Sequence, residues 1–152
     1  MSNNQIHSWY EKYKIGIYRY ILSITHDPQL AEDVLQDTFV QLLTDGIRFD
    51  PGKEQAWLYK VARNKCFNIL KRRKKQDELQ MPVVVSGNLR WEFLEMIASL
   101  SAKEQEIVTL KMIGGFSHKE ISKITGTTVA AAKNVMRGQS KNCVKKWRNH
   151  HD

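Results

Sequence analysis

Apolar side chains in the first half of the chain recur at helical spacings, three or four residues apart. Ile6 to Ile24 is rich in them and predicts one long helix. Asp27-Pro28 reads as an N-cap followed by proline at the first helical position, where its missing N–H is no loss. Glu32 and Asp33 are expected in the first turn of this second helix, the end of the dipole that favours acids. Ala31, Val34, Leu35, Thr38 and Leu42 then fall on one stripe, with Phe39 beside it. Asp45-Gly46 ends the helix and Asp50-Pro51-Gly52 marks a turn. A third helix is predicted from Glu54 to about Lys75, with Leu58, Val61, Ala62 and Ile69 as its apolar stripe.

The pattern breaks at 77–89, where Pro82, the β-branched run Val83 to Val85 and Ser86-Gly87-Asn88 read as a flexible linker. Fully extended, such a segment reaches roughly 40 Å. Beyond it, Trp91, Leu94, Ile97 and Ala98 predict a short helix ending near Leu100. Ser101 with Glu104, and Ser117 with Glu120, are capping boxes that open two further helices. Gly114-Gly115 separates those two, and Gly126-Thr127-Thr128 precedes a last helix running to about Arg148. Helix, short glycine-bearing turn and longer basic helix form a helix-turn-helix pattern. The expected fold is therefore all-α: a helical domain over 1–76, the linker 77–89, and a helix-turn-helix domain over 90–152.

Charge adds a partner class. The chain has 152 residues with 24 Lys and Arg against 16 Asp and Glu, a formal charge of +8 that makes a polyanion plausible. No apolar run approaches the ~20 residues that span a bilayer. The start lacks the pattern of a signal peptide, so a cytoplasmic location is expected. Cys66 and Cys143 stand far apart, with no neighbouring Cys or His at metal-ligand spacing, and read as free thiols. No metal, cofactor or catalytic constellation is expected: there is no carboxylate cluster beside a ligand histidine, no phosphate-cradling glycine loop, and no nucleophile with a base at useful spacing.

The basic residues are not scattered. On the last helix, Val129, Ala132, Met136, Cys143 and Trp147 form a stripe to bury, while Lys133, Asn134, Arg137, Lys141, Lys145 and Arg148 lie on another arc. No acid occurs between Ile121 and His151. Thr127, Lys133, Asn134 and Arg137 are thus candidates for phosphate and base-edge contacts in a major groove. On the third helix, Trp57, Lys60, Asn64, Phe67, Asn68 and Lys71 share a face, Arg72 to Lys75 follow, and no acid occurs from Gln55 through Gln76. Rings, amides and cations in this order suit unstacked bases; packing of Trp57 and Phe67 on the first helix is the plainer alternative, as is a basic tail that merely complements the helix dipole. The second helix bears an acidic and amide face, Glu32, Asp33, Gln36, Asp37 and Gln41, which is either solvated surface or a dock for a basic protein.

These faces, in this order, resemble the extracytoplasmic-function (ECF) group of bacterial RNA polymerase sigma factors. Ala31-Glu-Asp-Val-Leu-Gln-Asp-Thr-Phe39 is similar to the family's polymerase-binding motif, and Ala56-Trp-Leu-Tyr-Lys-Val-Ala-Arg-Asn64 to its promoter-melting, −10-reading helix. Leu100-Ser-Ala-Lys-Glu-Gln-Glu-Ile-Val-Thr-Leu110, followed by Gly115-Phe-Ser-His-Lys-Glu-Ile121, is similar to its −35-binding domain. The resemblance spans roughly residues 10–148. It implies a sigma-2-like helical bundle and a sigma-4-like domain in an alternative sigma factor that binds core RNA polymerase and promoter DNA. Asp33, Gln36 and Asp37 would dock a coiled coil of the β′ subunit. The loop Arg48 to Lys53, including Phe49, would capture a base flipped from the non-template strand. Trp57, Lys60, Asn64, Asn68 and Lys71 would line the melted −10 element. The last helix, with Thr127, Lys133, Asn134, Arg137 and Lys141, would read the −35 element, and its domain would touch the β flap. An anti-sigma factor is an implied further partner.

Three departures from the family stand out. The loop from Phe49 to Trp57 is about one residue shorter than the commonest form. Val135, Gly138 and Ser140 occupy places that are often basic. Neither terminus is expected to leave room for the sensor domain of some relatives. Two other classes compete with the sigma reading. A stand-alone regulator using only residues 101–148 leaves the Trp-Asn-Lys face and the acidic helix without a purpose. A protein-binding adaptor would lack the steep salt dependence of phosphate contacts.

Overall fold

Three long helices follow from the local signals at their ends. In the computed structural model, which describes residues 3–46, 48–50, 52–76, 95, 98 and 100–137, α1 runs Asn3–Thr25, α2 Pro28–Asp45 and α3 Glu54–Gln76. Asp27 caps α2 as its sequence predicts: its carboxylate accepts from the amides of Gln29 and Leu30 at 3.1 and 3.2 Å, and Pro28 opens the helix. Gly46 ends it in the left-handed conformation, at φ 59°. Helix α2 has no acid in its first turn, a correction to the expectation for Glu32 and Asp33. Counted from Pro28, both belong to the second turn, where the dipole's pull on an anion has largely faded.

The chain divides into two compact units, Met1–Val84 and Val85–Asp152. In the first, α1, α2 and α3 all pack against one another. Ile17, Tyr20, Ile21 and Leu22 of α1, Ala31, Val34 and Leu42 of α2, and Leu58, Tyr59, Ala62 and Cys66 of α3 are almost wholly buried. The stripe expected on α2 is buried throughout, Phe39 included. On α3 the expected stripe is only partly covered, since Val61 and Ile69 stay half-exposed while Tyr59 and Cys66 turn inward. Tyr20 and Tyr59 lie against each other across the α1–α3 contact, ring centres 5.3 Å apart.

In the second unit, α4 spans Ala102–Met112, α5 His118–Thr125 and α6 Val129–Arg137. Both predicted capping boxes form: Ser101 with Glu104 opens α4, and Ser117 with Glu120 opens α5. Thr128 caps α6, its hydroxyl accepting from the Ala131 amide at 3.0 Å. Leu100, Ile107, Val108, Leu110, Phe116, Ile121, Ile124 and Ala132 make the core. The turn between α4 and α5 fits only around a glycine. A Cβ on Gly114 would lie 2.6 Å from Phe116 and 2.8 Å from the Leu110 carbonyl oxygen. Apart from Glu95, Ala98 and Leu100, the short helix expected after Trp91 lies outside the described residues. So do the expected linker 77–89 and the last helix beyond Arg137, with Cys143 and Trp147.

Candidate nucleic-acid interface

The exposed side of α3 is set by which residues its core takes. With Leu58, Tyr59, Ala62 and Cys66 inward, Lys60, Asn64, Phe67, Asn68 and Lys71 are left exposed, spaced along one side of the helix. Phe67 is 40% exposed, a large apolar ring on an otherwise polar face. The guanidinium of Arg63 sits 4.6 Å from its centre, a cation–π contact the sequence reading missed. An i, i+4 spacing between the two was its only sequence signal. Amides, cations and an open ring are the groups that read, hold and stack unpaired bases. The basic tail is less uniform than expected. Arg73 reaches back to the Asp27 carboxylate at 3.3 Å, so this cation braces the start of α2.

Trp57 departs from that open face. It is half-buried and packs edge-on against Phe49, with ring centres 5.5 Å apart. Phe49 in turn meets Trp9 of α1 at 5.8 Å, again edge-on. Of the two alternatives for Trp57, packing therefore accounts for part of its surface, through Phe49. Arg48, by contrast, is exposed in the same connection. Behind it, the start of α3 is fixed by a buried bond: the Tyr13 hydroxyl donates to Glu54 at 2.9 Å. Burial, then the Glu54 carboxylate, pushes the Tyr13 hydroxyl up to about 12.

On α2, Asp33, Gln36 and Asp37 are all exposed, and Val40 and Leu43 continue this surface as exposed apolar residues at 56% and 53%. The sequence reading had assigned neither of those two. An acidic row that runs into apolar side chains suits a partner with both cations and apolar groups better than it suits bare phosphate.

In the second unit, Lys133, Asn134 and Arg137 are exposed on α6, while Ala132 is fully buried and Val129 and Met136 half-buried. The face is thus split from the stripe as the 100° advance requires. Lys141 lies outside the described residues. Thr127 is half-buried rather than free: its hydroxyl pairs with that of Thr125 at 2.7 Å, and its carbonyl accepts from the Ser122 hydroxyl. Those bonds fix the turn that aims α6. His118, at the start of α5, was not singled out from the sequence. Its Nε2 is enclosed without a hydrogen-bond partner. Burial, and then the nearby charges of Lys111, Lys133 and Arg137, hold its protonation below the ordinary histidine range. Positive charge from α4 and α6 therefore converges on the start of α5.

Among the described residues no group of His, Cys, Asp or Glu could hold a metal ion. No described helix is long and apolar enough to cross a membrane.

Comparison with known proteins adds to this geometry. The family model for Sigma-70 region 2 matches residues 9–76, and that for Sigma-70, region 4 matches residues 90–137. The chain is 30% identical over 139 residues to the ECF RNA polymerase sigma factor SigM of Bacillus subtilis, covering 84% of this chain and 85% of that protein. It is 26% identical over 126 residues to the RNA polymerase sigma factor CarQ of Myxococcus xanthus, covering 75% and 72%. In fold it is similar to the sigma factor RpoE of Bartonella quintana, solved with the anti-sigma factor NepR. The TM-score is 0.71 at 21% identity, over 95% of this chain and 99% of that one. CnrH, solved with the cytosolic domain of CnrY, gives a TM-score of 0.67 at 18% identity, over 99% and 92%.

Proposed function

Because the chain belongs to the extracytoplasmic-function group of RNA polymerase sigma factors, we propose that its two units divide promoter recognition, residues 1–76 taking the −10 element and 90–152 the −35 element. It is an alternative sigma factor: it binds core RNA polymerase and directs it to promoters. The finer assignment rests above all on the row Lys60, Asn64, Asn68 and Lys71, exposed on α3. That row holds the melted non-template strand, its amides on base edges and its ammonium groups on phosphates. Arg48 lies in the loop that receives the flipped base, and Phe49 and Trp57 form the packed wall beside it. Lys133, Asn134 and Arg137 enter the −35 major groove, with Thr127 at the mouth of the groove and Lys141 further along. Asp33, Gln36 and Asp37 dock the β′ coiled coil, and the second unit meets the β flap. The bond-making chemistry is the polymerase's; this chain supplies address and strand separation. It works in the cytoplasm.

Relatives in complex with NepR and with the cytosolic domain of CnrY support an anti-sigma factor as a further partner. The exposed acidic and apolar side of α2 offers such a protein a docking surface in competition with polymerase.

Reconstitution tests the division. Tagged protein is mixed with core polymerase, and start sites are mapped by transcription from genomic fragments. Asp37→Lys should lose polymerase without loss of fold, since Asp37 is exposed. Asn64→Ala should retain polymerase and upstream duplex binding but impair open-complex formation. Normal opening by Asn64→Ala protein refutes the α3 assignment, and unchanged polymerase affinity in Asp37→Lys refutes the docking face. Specific duplex binding with no polymerase association at all would favour a stand-alone regulator.

A further inference from the structure

Among its described residues, the connection between α2 and α3 is almost entirely solvent-facing. Of these, Gly46, Arg48, Asp50, Gly52 and Lys53 are exposed, and Phe49 alone is partly buried. Gly46 and Gly52 both lie at positive φ, 59° and 84°, so the backbone turns sharply at either end. A segment of this kind has few contacts to hold it in one place. Phe49 supplies them: its ring is flanked by Trp9 at 5.8 Å with a 72° interplanar angle, and by Trp57 at 5.5 Å with 61°. One neighbour comes from α1, the other from α3. Edge-to-face pairs at these separations are attractive beyond the area they bury, and they prefer a particular angle. The same side of α1 makes a second tie one turn later, where Tyr13 donates to Glu54 at the first residue of α3.

We propose that Trp9, on a helix with no assigned contact to DNA, is a positioning residue for −10 recognition: it holds Phe49, and through it the base-receiving connection, in place before DNA arrives. This rests on the reading of α3 and its preceding loop as the −10 surface. A connection fixed in advance loses less freedom when it closes on an extruded base, so the gain appears at strand opening rather than at upstream binding. Trp9 acts through Phe49 and need not touch the nucleic acid.

The test uses full-length holoenzyme on the strongest start site mapped for the wild-type protein, and measures the rate of open-complex formation. Trp9→Ala should slow opening by about two- to tenfold, the worth of one lost aromatic contact of this kind. Polymerase affinity and binding to the duplex upstream element should be unchanged. Trp9→Phe, which keeps a ring, should restore most of the rate; Trp9→Leu, which keeps only apolar bulk, should not. Phe49→Leu should show the same defect, and the double variant should be no slower than Phe49→Leu alone. Wild-type opening by Trp9→Ala, full rescue by Trp9→Leu, or defects that multiply in the double variant would each overturn the proposal. Asn64→Ala runs alongside. If it is impaired while Trp9→Ala is not, only the positioning role falls; if both open normally, the −10 reading falls and this role with it.

Discussion

The Tyr13–Glu54 pair makes a sharp prediction because two independent magnitudes bear on it. Both residues are 8% exposed, and the hydroxyl donates to the carboxylate at 2.9 Å. Tyr13→Phe removes the donor and leaves a buried carboxylate short of a partner. Hydrogen bonds to charged groups contribute about 1.5–3 kcal/mol, so a loss near 2 kcal/mol is expected at neutral pH. The titration gives a second route. The Tyr13 hydroxyl is raised from 10.0 to about 12, burial first and the bond to Glu54 next. Above pH 10 the unfolded chain releases this proton while the folded chain keeps it. The contribution is therefore complete below pH 10 and is lost as pH rises towards 12, at most about 1.4 kcal/mol per unit. Urea denaturation of Trp91→Phe/Trp147→Phe protein, with or without Tyr13→Phe, isolates the first unit through its two indoles, Trp9 and Trp57. The gap between the two proteins should be about 2 kcal/mol at pH 8 and should close between pH 10 and 12. Tyr59 is also raised, mainly by burial and only in lesser part by the Tyr13 charge, so it titrates nearly alike in both. A gap that stays constant to pH 12, or no gap at pH 8, refutes the account.

Three further outcomes are expected. Gly114→Ala should destabilise the second unit by about 1–3 kcal/mol, because its Cβ meets buried Phe116 and a backbone oxygen that cannot yield; a thermal midpoint equal to wild type would contradict this. Lys133→Ala and Arg137→Ala should each weaken upstream duplex binding and lower the slope of log affinity against log salt by about 0.9 if each neutralises one phosphate. An unchanged slope would remove that residue from the phosphate contacts. The second unit should lose stability as pH falls below about 6.5, since the unfolded chain takes up the His118 proton before the folded chain, whose histidine titrates lower, can do so. Urea midpoints at about pH 7.5 and 5.5 measure this loss, and His118→Asn should shrink it.

The features legible in the sequence are those whose physics is local. Asp27-Pro28 and the two Ser-x-x-Glu boxes satisfy backbone donors two or three residues away, so four letters suffice to find them. The buried stripe of α2 and the outward row of α3 follow from helical periodicity alone. The features that escaped are non-local. Tyr13 finds Glu54 across 41 positions, Arg73 finds Asp27 across 46, and Phe49 meets its two indoles from different helices. No periodicity records such pairings. Trp57 shows the consequence: angular position groups it with the polar face of α3, yet a loop phenylalanine covers part of it. His118 is another case, since its surroundings come from α4 and α6 as much as from its own helix.

The placement of carboxylates connects the fold to its electrostatics more closely than the excess of cations does. Helix α3 contains a single acid, Glu54, and it is buried beneath Tyr13 at the end of the helix where the dipole favours a negative charge. One inward residue thus both anchors the helix and leaves its outward row without a carboxylate. The second unit does the same by other means. Glu104 and Glu120 turn back to the amides of Ser101 and Ser117 at 3.2 and 3.1 Å, and Glu106 is 3% exposed with Lys103 at 3.8 Å. Acids that could have offset Lys133 and Arg137 are committed to helix starts and to the core. On α2 the acids Asp33 and Asp37 are instead left outward, and they belong to neither of these arrangements. A residue count predicts only a basic protein; the caps and buried bonds decide that its exposed cations on α3 and α6 go without neighbouring acids, while α2 keeps an acidic face.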